Sequence, residues 1–135
     1  MKVYFEHIYE HIGYLFYALA RAHGKLNEVS FDKLNQLIDQ QWSSDGNTQN
    51  LESHMVNYLR SGLRNAFDTA MSAGAAYDHF KSYYDIHSTP FGSSLRSKIL
   101  ATADSIAAAF SGNGKKSEFL AYLEKLLSVN PISST

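Results

Sequence analysis

The chain has 135 residues, 44% of them hydrophobic and 19% charged, with two prolines and no cysteine. A single domain of that size buries about two thirds of the surface its unfolded form exposes, so it folds without a disulfide or a structural metal, and its apolar content excludes intrinsic disorder. Twelve Lys and Arg against thirteen Asp and Glu give a formal net charge of -1, which is not the footprint of a nucleic-acid or anionic-membrane binder.

The absence of cysteine fits a reducing cytosol, and a cytoplasmic location is the expectation. No segment reaches about 18 consecutive apolar residues, so no membrane span is expected. Near the N-terminus, Ile12 to Ala20 is apolar and Ala18-Leu19-Ala20 mimics a small-x-small cleavage site. Glu6, His7, Glu10 and His11 ahead of it are wrong for a signal peptide, and the helical period continues past the supposed cut.

From Val3 to Ala22, Phe5, Ile8, Tyr9, Ile12, Leu15, Phe16 and Leu19 follow the three-and-four spacing of one helix stripe. Gly24 offers a left-handed C-cap, and Phe31, Leu34, Leu37, Ile38 and Trp42 mark a second helix. Ser43 to Asn47 reads as an interhelical loop, since no alternating strands flank Asp45-Gly46. Leu51, Met55, Tyr58, Leu59, Leu63 and Phe67 make a third helix reaching toward Met71, with a break expected at Ser72-Ala73-Gly74. Tyr77, Phe80 and Tyr83 or Tyr84 mark a short fourth helix, and Ser88 to Gly92 is a connection because the residue before Pro90 avoids helical dihedrals. Leu95, Ile99, Leu100, Ala103, Ile106, Ala107 and Phe110 form a fifth, stopped by Ser111 to Gly114. Phe119, Leu120, Leu123, Leu126 and Leu127 give a sixth, ending before Asn130-Pro131. The expectation is an all-α fold: one compact domain over residues 1–130, a bundle of about six helices, with a frayed tail at 131–135.

The two ends of the chain are alike. Leu15 to Lys25 aligns with Ser105 to Lys115, each an alanine-rich helix ahead of Gly-Lys, and Glu28 and Glu118 fall at the same offset beyond it. Each copy reads as a helix, a glycine stop and a second helix folding back over the first. The alternative is that any alanine-rich helix stopped by glycine reads this way. The segments LFYALARAHGKLNE (Leu15 to Glu28) and IAAAFSGNGKKSEFLAYLEKLL (Ile106 to Leu127) resemble the TerB-like domains, a family named for tellurite-resistance proteins. The resemblance covers both ends; Trp42 to Tyr84 joins it only by helical content.

 The resemblance implies a helical bundle with internal pseudo-symmetry, an association with stress and tellurite-resistance systems, no established enzymatic activity, and loop acids linked to divalent cations. Position by position, the family's loop aspartate is His23 in the first copy and Asn113 in the second, so only Glu28 and Glu118 keep an acidic position. With Asn27 and Asn113 they make a poor cage for a hard cation unless backbone carbonyls and water contribute.

His7-Ile8-Tyr9-Glu10-His11 reads H-x-x-E-H, the zinc pattern of inverzincin proteases, with two histidines one turn apart. Those proteases are far longer and need a third ligand, and here both histidines fall on the wet flank of the first helix. A zinc or nickel site built on His7 and His11, completed by Glu6, His54, His79 or His87, is the alternative to a solvated polar face. Gly112-Asn113-Gly114-Lys115-Lys116-Ser117 echoes a P-loop but lacks its first glycine, puts Lys116 where the serine belongs, and follows a helix; a C-cap with Ser117 as the next N-cap is the simpler reading.

No serine, histidine and acid grouping marks a catalytic triad. Nine Tyr, eight Phe and one Trp are many for a small bundle. Tyr9, Tyr14, Tyr17, Tyr77, Tyr83 and Tyr84 either line a groove or partner-binding patch, or sit in the core with their hydroxyls in water. Two functions follow: a non-enzymatic interaction module that docks a protein partner or a second copy of itself, and a divalent-metal-binding or metal-sensing domain using His7 and His11 or Glu28 and Glu118.

Overall fold

The computed structural model describes residues 2–22, 24–42, 51–87, 91–110 and 118–128, without the side chains of 2–6, 51–55, 118–119 and 128. Six helices account for nearly all of them: α1 (Lys2–Arg21), α2 (Glu28–Trp42), α3 (Leu51–Asp68), α4 (Ala73–Ile86), α5 (Ser93–Phe110) and α6 (Glu118–Ser128). No strand occurs among the described residues, and the fold is an all-helical bundle. The expected loops at 43–47 and 111–114, the Ser117 cap, the bend at 88–90 and the tail at 131–135 lie outside the described residues, as do His23 and Asn113.

The first helix departs from the one-sided stripe that its spacing predicts. Every residue from Ile12 to Ala20 is buried, so this stretch of α1 is wrapped on all sides and forms the axis of the bundle. It packs most extensively on α3 and α4 and also meets α5 and α6. Two glycines allow the closest of these approaches. A methyl on Gly13 would overlap the Leu59 carbonyl oxygen and lie 2.8 Å from the Leu63 nitrogen, and one on Gly62 would overlap the Glu10 carbonyl oxygen.

Around this axis, one hydrophobic cluster runs through all six helices. Phe31, Leu34 and Ile38 bury the inner face of α2, and Phe31 stacks on Phe67 of α3 at 4.4 Å. Trp42 reaches both Tyr9 and Phe16 of α1 at 5.9 Å. Its indole Nε1 donates to Thr102 Oγ1 on α5 at 2.8 Å, and Thr102 in turn donates to the Lys98 carbonyl at 2.9 Å. Phe91, in the connection before α5, enters the core against Phe80 and Tyr84. At the other face of α5, Arg96 donates to the Leu127 carbonyl near the end of α6.

Fold-back of the second helix on the first holds for α5 and α6 but differs at the other end of the chain. There α2 rests mainly on α5 and α3 and reaches α1 through Trp42, because α3 and α4 already cover α1. Gly24 follows the end of α1 at φ 136°, a positive value that glycine enters freely but not the left-handed helical cap expected of it, and its NH bonds the Arg21 carbonyl at 3.0 Å.

The break expected at Ser72-Ala73-Gly74 falls earlier. Ala70 NH bonds the Phe67 carbonyl and Met71 NH bonds the Ala66 carbonyl, the paired pattern of a Schellman C-cap, with Ala70 at φ 53° in the place usually held by glycine. Ser72 is then the N-cap of α4, accepting from Ala75 NH at 3.1 Å, and Gly74 lies inside the helix. This cap directs α4 back along α1: Tyr17 donates to the Met71 carbonyl, Tyr14 meets His79, and His11 meets Tyr83, so the two helices run antiparallel.

Candidate functional site

The antiparallel pairing of α1 and α4 leaves an open cleft of about 490 Å³ on the outer flank of α4. Ala75, Asp78, His79, Ser82, Tyr83, Ile86 and His87 line it, with His11 contributed by α1. The spacing of His79, Tyr83 and His87 at four-residue intervals places three rings along one face of α4. Ala76, Phe80 and Tyr84 bury the neighbouring face, which fixes the rotation of the helix.

Rings connect the two helices. His11 lies face to face on Tyr83, with centroids 4.1 Å apart and planes 13° from parallel. Its edge also meets Tyr14 at 5.4 Å, Tyr14 meets His79 at 5.2 Å, and Tyr83 meets His87 at 4.7 Å. The chain His79, Tyr14, His11, Tyr83, His87 therefore crosses from α4 to α1 and back. Tyr14 is held from behind by Asn65 of α3, whose amide donates to the tyrosine hydroxyl at 3.0 Å.

His11 is half-buried, and burial pulls its pKa below the ordinary 6.5. The His7 carbonyl, 2.7 Å from Nδ1, and the Glu10 carboxylate push the other way, while the His79 and His7 charges reinforce the lowering. With the neutral imidazole, Nδ1–H donates to that carbonyl and Nε2 keeps the lone pair. Among the described residues, the lining contains the Asp78 carboxylate and no Lys or Arg, and Ile86 stands in it 75% exposed. An apolar side chain together with rings and one carboxylate favours an apolar or cationic occupant over an anionic one.

The residues considered as metal ligands are dispersed. His7 is exposed, outside the cleft lining, with Nδ1 3.8 Å from Glu10. His11 differs from the wet-flank expectation, because α4 packs against it. Glu28 opens α2 and stands 3.8 Å from Arg64 of α3, while the Asn27 carboxamide oxygen accepts from Ser30 NH at 2.8 Å as the N-cap of α2. Glu118 is the first residue of α6; its side chain, like those of Glu6 and His54, lies outside the described set. Among the described residues, no three His, Asp or Glu side chains are grouped to hold a metal ion.

The tyrosines divide unevenly between groove and core. Tyr9, Tyr14, Tyr17, Tyr77 and Tyr84 are buried, and only Tyr83 of the six lines the cleft. Asp78, Ser82 and Ile86 were not legible as site residues, although the His79, Tyr83, His87 spacing marks the face that carries them. Among the described residues, no helix is long and apolar enough to cross a membrane. No protein-family model, curated protein or solved structure matches the chain.

Proposed function

We propose that the protein is a non-enzymatic interaction module that docks an apolar, basic segment of a protein partner in the cleft between α1 and α4. The observation that carries this reading is the composition of the cleft: an exposed Ile86, three imidazoles, the Tyr83 ring and the Asp78 carboxylate, with no Lys or Arg among the described lining residues. The likeness of the two Gly-Lys segments to TerB-like domains supports placing the module in a stress or tellurite-resistance type of system. The supporting test is binding of fluorescent peptides at neutral pH, one set apolar and basic, the other apolar and acidic. Saturable binding of the basic set, lost in Ile86→Asp and weakened in Asp78→Asn, supports the reading; equal binding of both sets, or none, overturns it.

A divalent-metal function is the second reading, favoured by the collection of His11, His79 and His87 along one cleft. It requires side-chain rearrangement, since these groups are not disposed around a common point. Thermal midpoints of chelator-stripped protein with calcium, magnesium, manganese, zinc or nickel test it: a saturable rise with one cation, lost in His11→Phe, supports this reading. A flat panel contradicts it.

A further inference from the structure

Among the described residues, α1 is the only helix packed extensively on α4, so the flank of α4 turned away from the core is an uncovered helix face. Ala75, His79, Ser82 and Ile86 follow one another along it at intervals of four, three and four residues, the spacing of a seam that one helix presents to another. All four are exposed, and the stripe runs about 16 Å, three turns of helix. Tyr83, stacked on His11, walls it on the α1 side.

Two lining residues are left unmatched within the chain. Ile86 exposes apolar surface at the C-terminal end of the stripe, and Asp78 stands toward the other end. Asp85 of the same helix is ion-paired with Lys81 at 2.9 Å, whereas no Lys or Arg pairs with Asp78 among the described residues. Asp78 and Ile86 are eight residues apart, about 12 Å along the helix axis.

We propose that the docked partner segment is an α-helix laid along α4, which sets an apolar residue on Ile86 and, seven or eight positions away in its own sequence, a Lys or Arg on Asp78. This rests on the docking reading of the cleft and adds to it the conformation and register of the segment.

The conformation follows from what α4 withholds. Its N–H and C=O groups between Asp78 and Ser82 are bonded within the helix, so an extended segment finds no main-chain partner there and leaves its own amides unpaired against Ile86 and the rings. A helical segment bonds its own main chain and presents only side chains. The register follows from the rise: about 12 Å is eight residues of helix but only about four of extended chain. Charge sets a foreign segment above a second copy of this flank, which brings another Asp78 and, among the described lining residues, no Lys or Arg to meet the first.

Shift titration of the full chain with short alanine- and glutamine-based peptides tests this. Each peptide carries one leucine and one arginine, spaced four, seven, eight or eleven residues apart in either order, and each is also made with a central proline. The spacings of seven and eight bind tightest. Asp78→Asn weakens those peptides about threefold and the others less, and the proline lowers their affinity about tenfold or more. Tightest binding at a spacing of four, no dependence on spacing, or a proline without effect overturns the helical register while leaving the docking of a basic segment standing. If no peptide binds, or glutamate in place of arginine binds as well, the docking reading fails and the helical register with it.

Discussion

Gly13 of α1 and Gly62 of α3 let two helix backbones touch, each hydrogen standing where any side chain would strike the partner's main chain. The obstruction is backbone on both sides, so no rotamer change relieves it. Gly13→Ala and Gly62→Ala each destabilise the fold by about 3 kcal/mol, the upper range for overpacking. Gly74 meets nothing within 4 Å and lies inside α4, so Gly74→Ala stabilises by about 0.5 to 1 kcal/mol. Urea unfolding of the three variants checks the opposite signs.

Ala70 holds a left-handed conformation that costs a residue with a Cβ about 1 to 2 kcal/mol. Ala70→Gly removes that strain but gives the unfolded chain more freedom, leaving a net gain of about 0.5 to 1 kcal/mol. A raised midpoint in denaturant with an unchanged slope is the expected result. A lower midpoint contradicts the capping geometry.

Thr102 is the buried acceptor for the sole tryptophan of the chain. Thr102→Val leaves the Trp42 indole N–H without that partner and destabilises the protein by about 1 to 3 kcal/mol, whereas Thr102→Ser retains the bond. Chemical unfolding followed by Trp42 fluorescence distinguishes the two, with the Val variant unfolding at lower denaturant.

Burial raises the pKa of Tyr77 to about 12, with Asp78, Asp85 and Tyr122 adding to it. Burial also raises Tyr17 and Tyr84. Because the folded protein holds these protons more tightly, stability present below pH 10 is lost as pH rises through the folded values. Ultraviolet titration shows a late-ionising class of tyrosines in the native protein, and Tyr77→Phe diminishes it. Ionisation of all nine together near pH 10 in the folded state contradicts the burial.

The six helices were legible because apolar spacing is a local property, and in α2 the predicted Phe31, Leu34, Ile38 and Trp42 are the residues that face the core. Centrality is not local. The same stripe in α1 describes a helix with one covered face, and only its neighbours reveal that Tyr14, Tyr17 and Ala18 are buried too. The end of α3 was misplaced because an alanine occupies the left-handed cap while Gly74, the conspicuous breaker, is helical. The cleft was half legible: His11 stood out beside His7, with His79 and His87 as groups that could join it, but the meeting of His11, His79 and His87 depends on the antiparallel course of α4, which the Ala70 cap sets.

The central claim is that the α4 flank is the docking surface, and site-specific photocrosslinking tests it most directly. Val29 and Ile86 are 76% and 75% exposed, so a benzophenone side chain at either position meets solvent equally, but only Ile86 lines the cleft. In the native cell, the Ile86 probe gives a discrete adduct with another protein that the Val29 probe does not, and Asp78→Asn reduces its yield. Equal labelling from the two positions, or an adduct from Val29 alone, contradicts the claim.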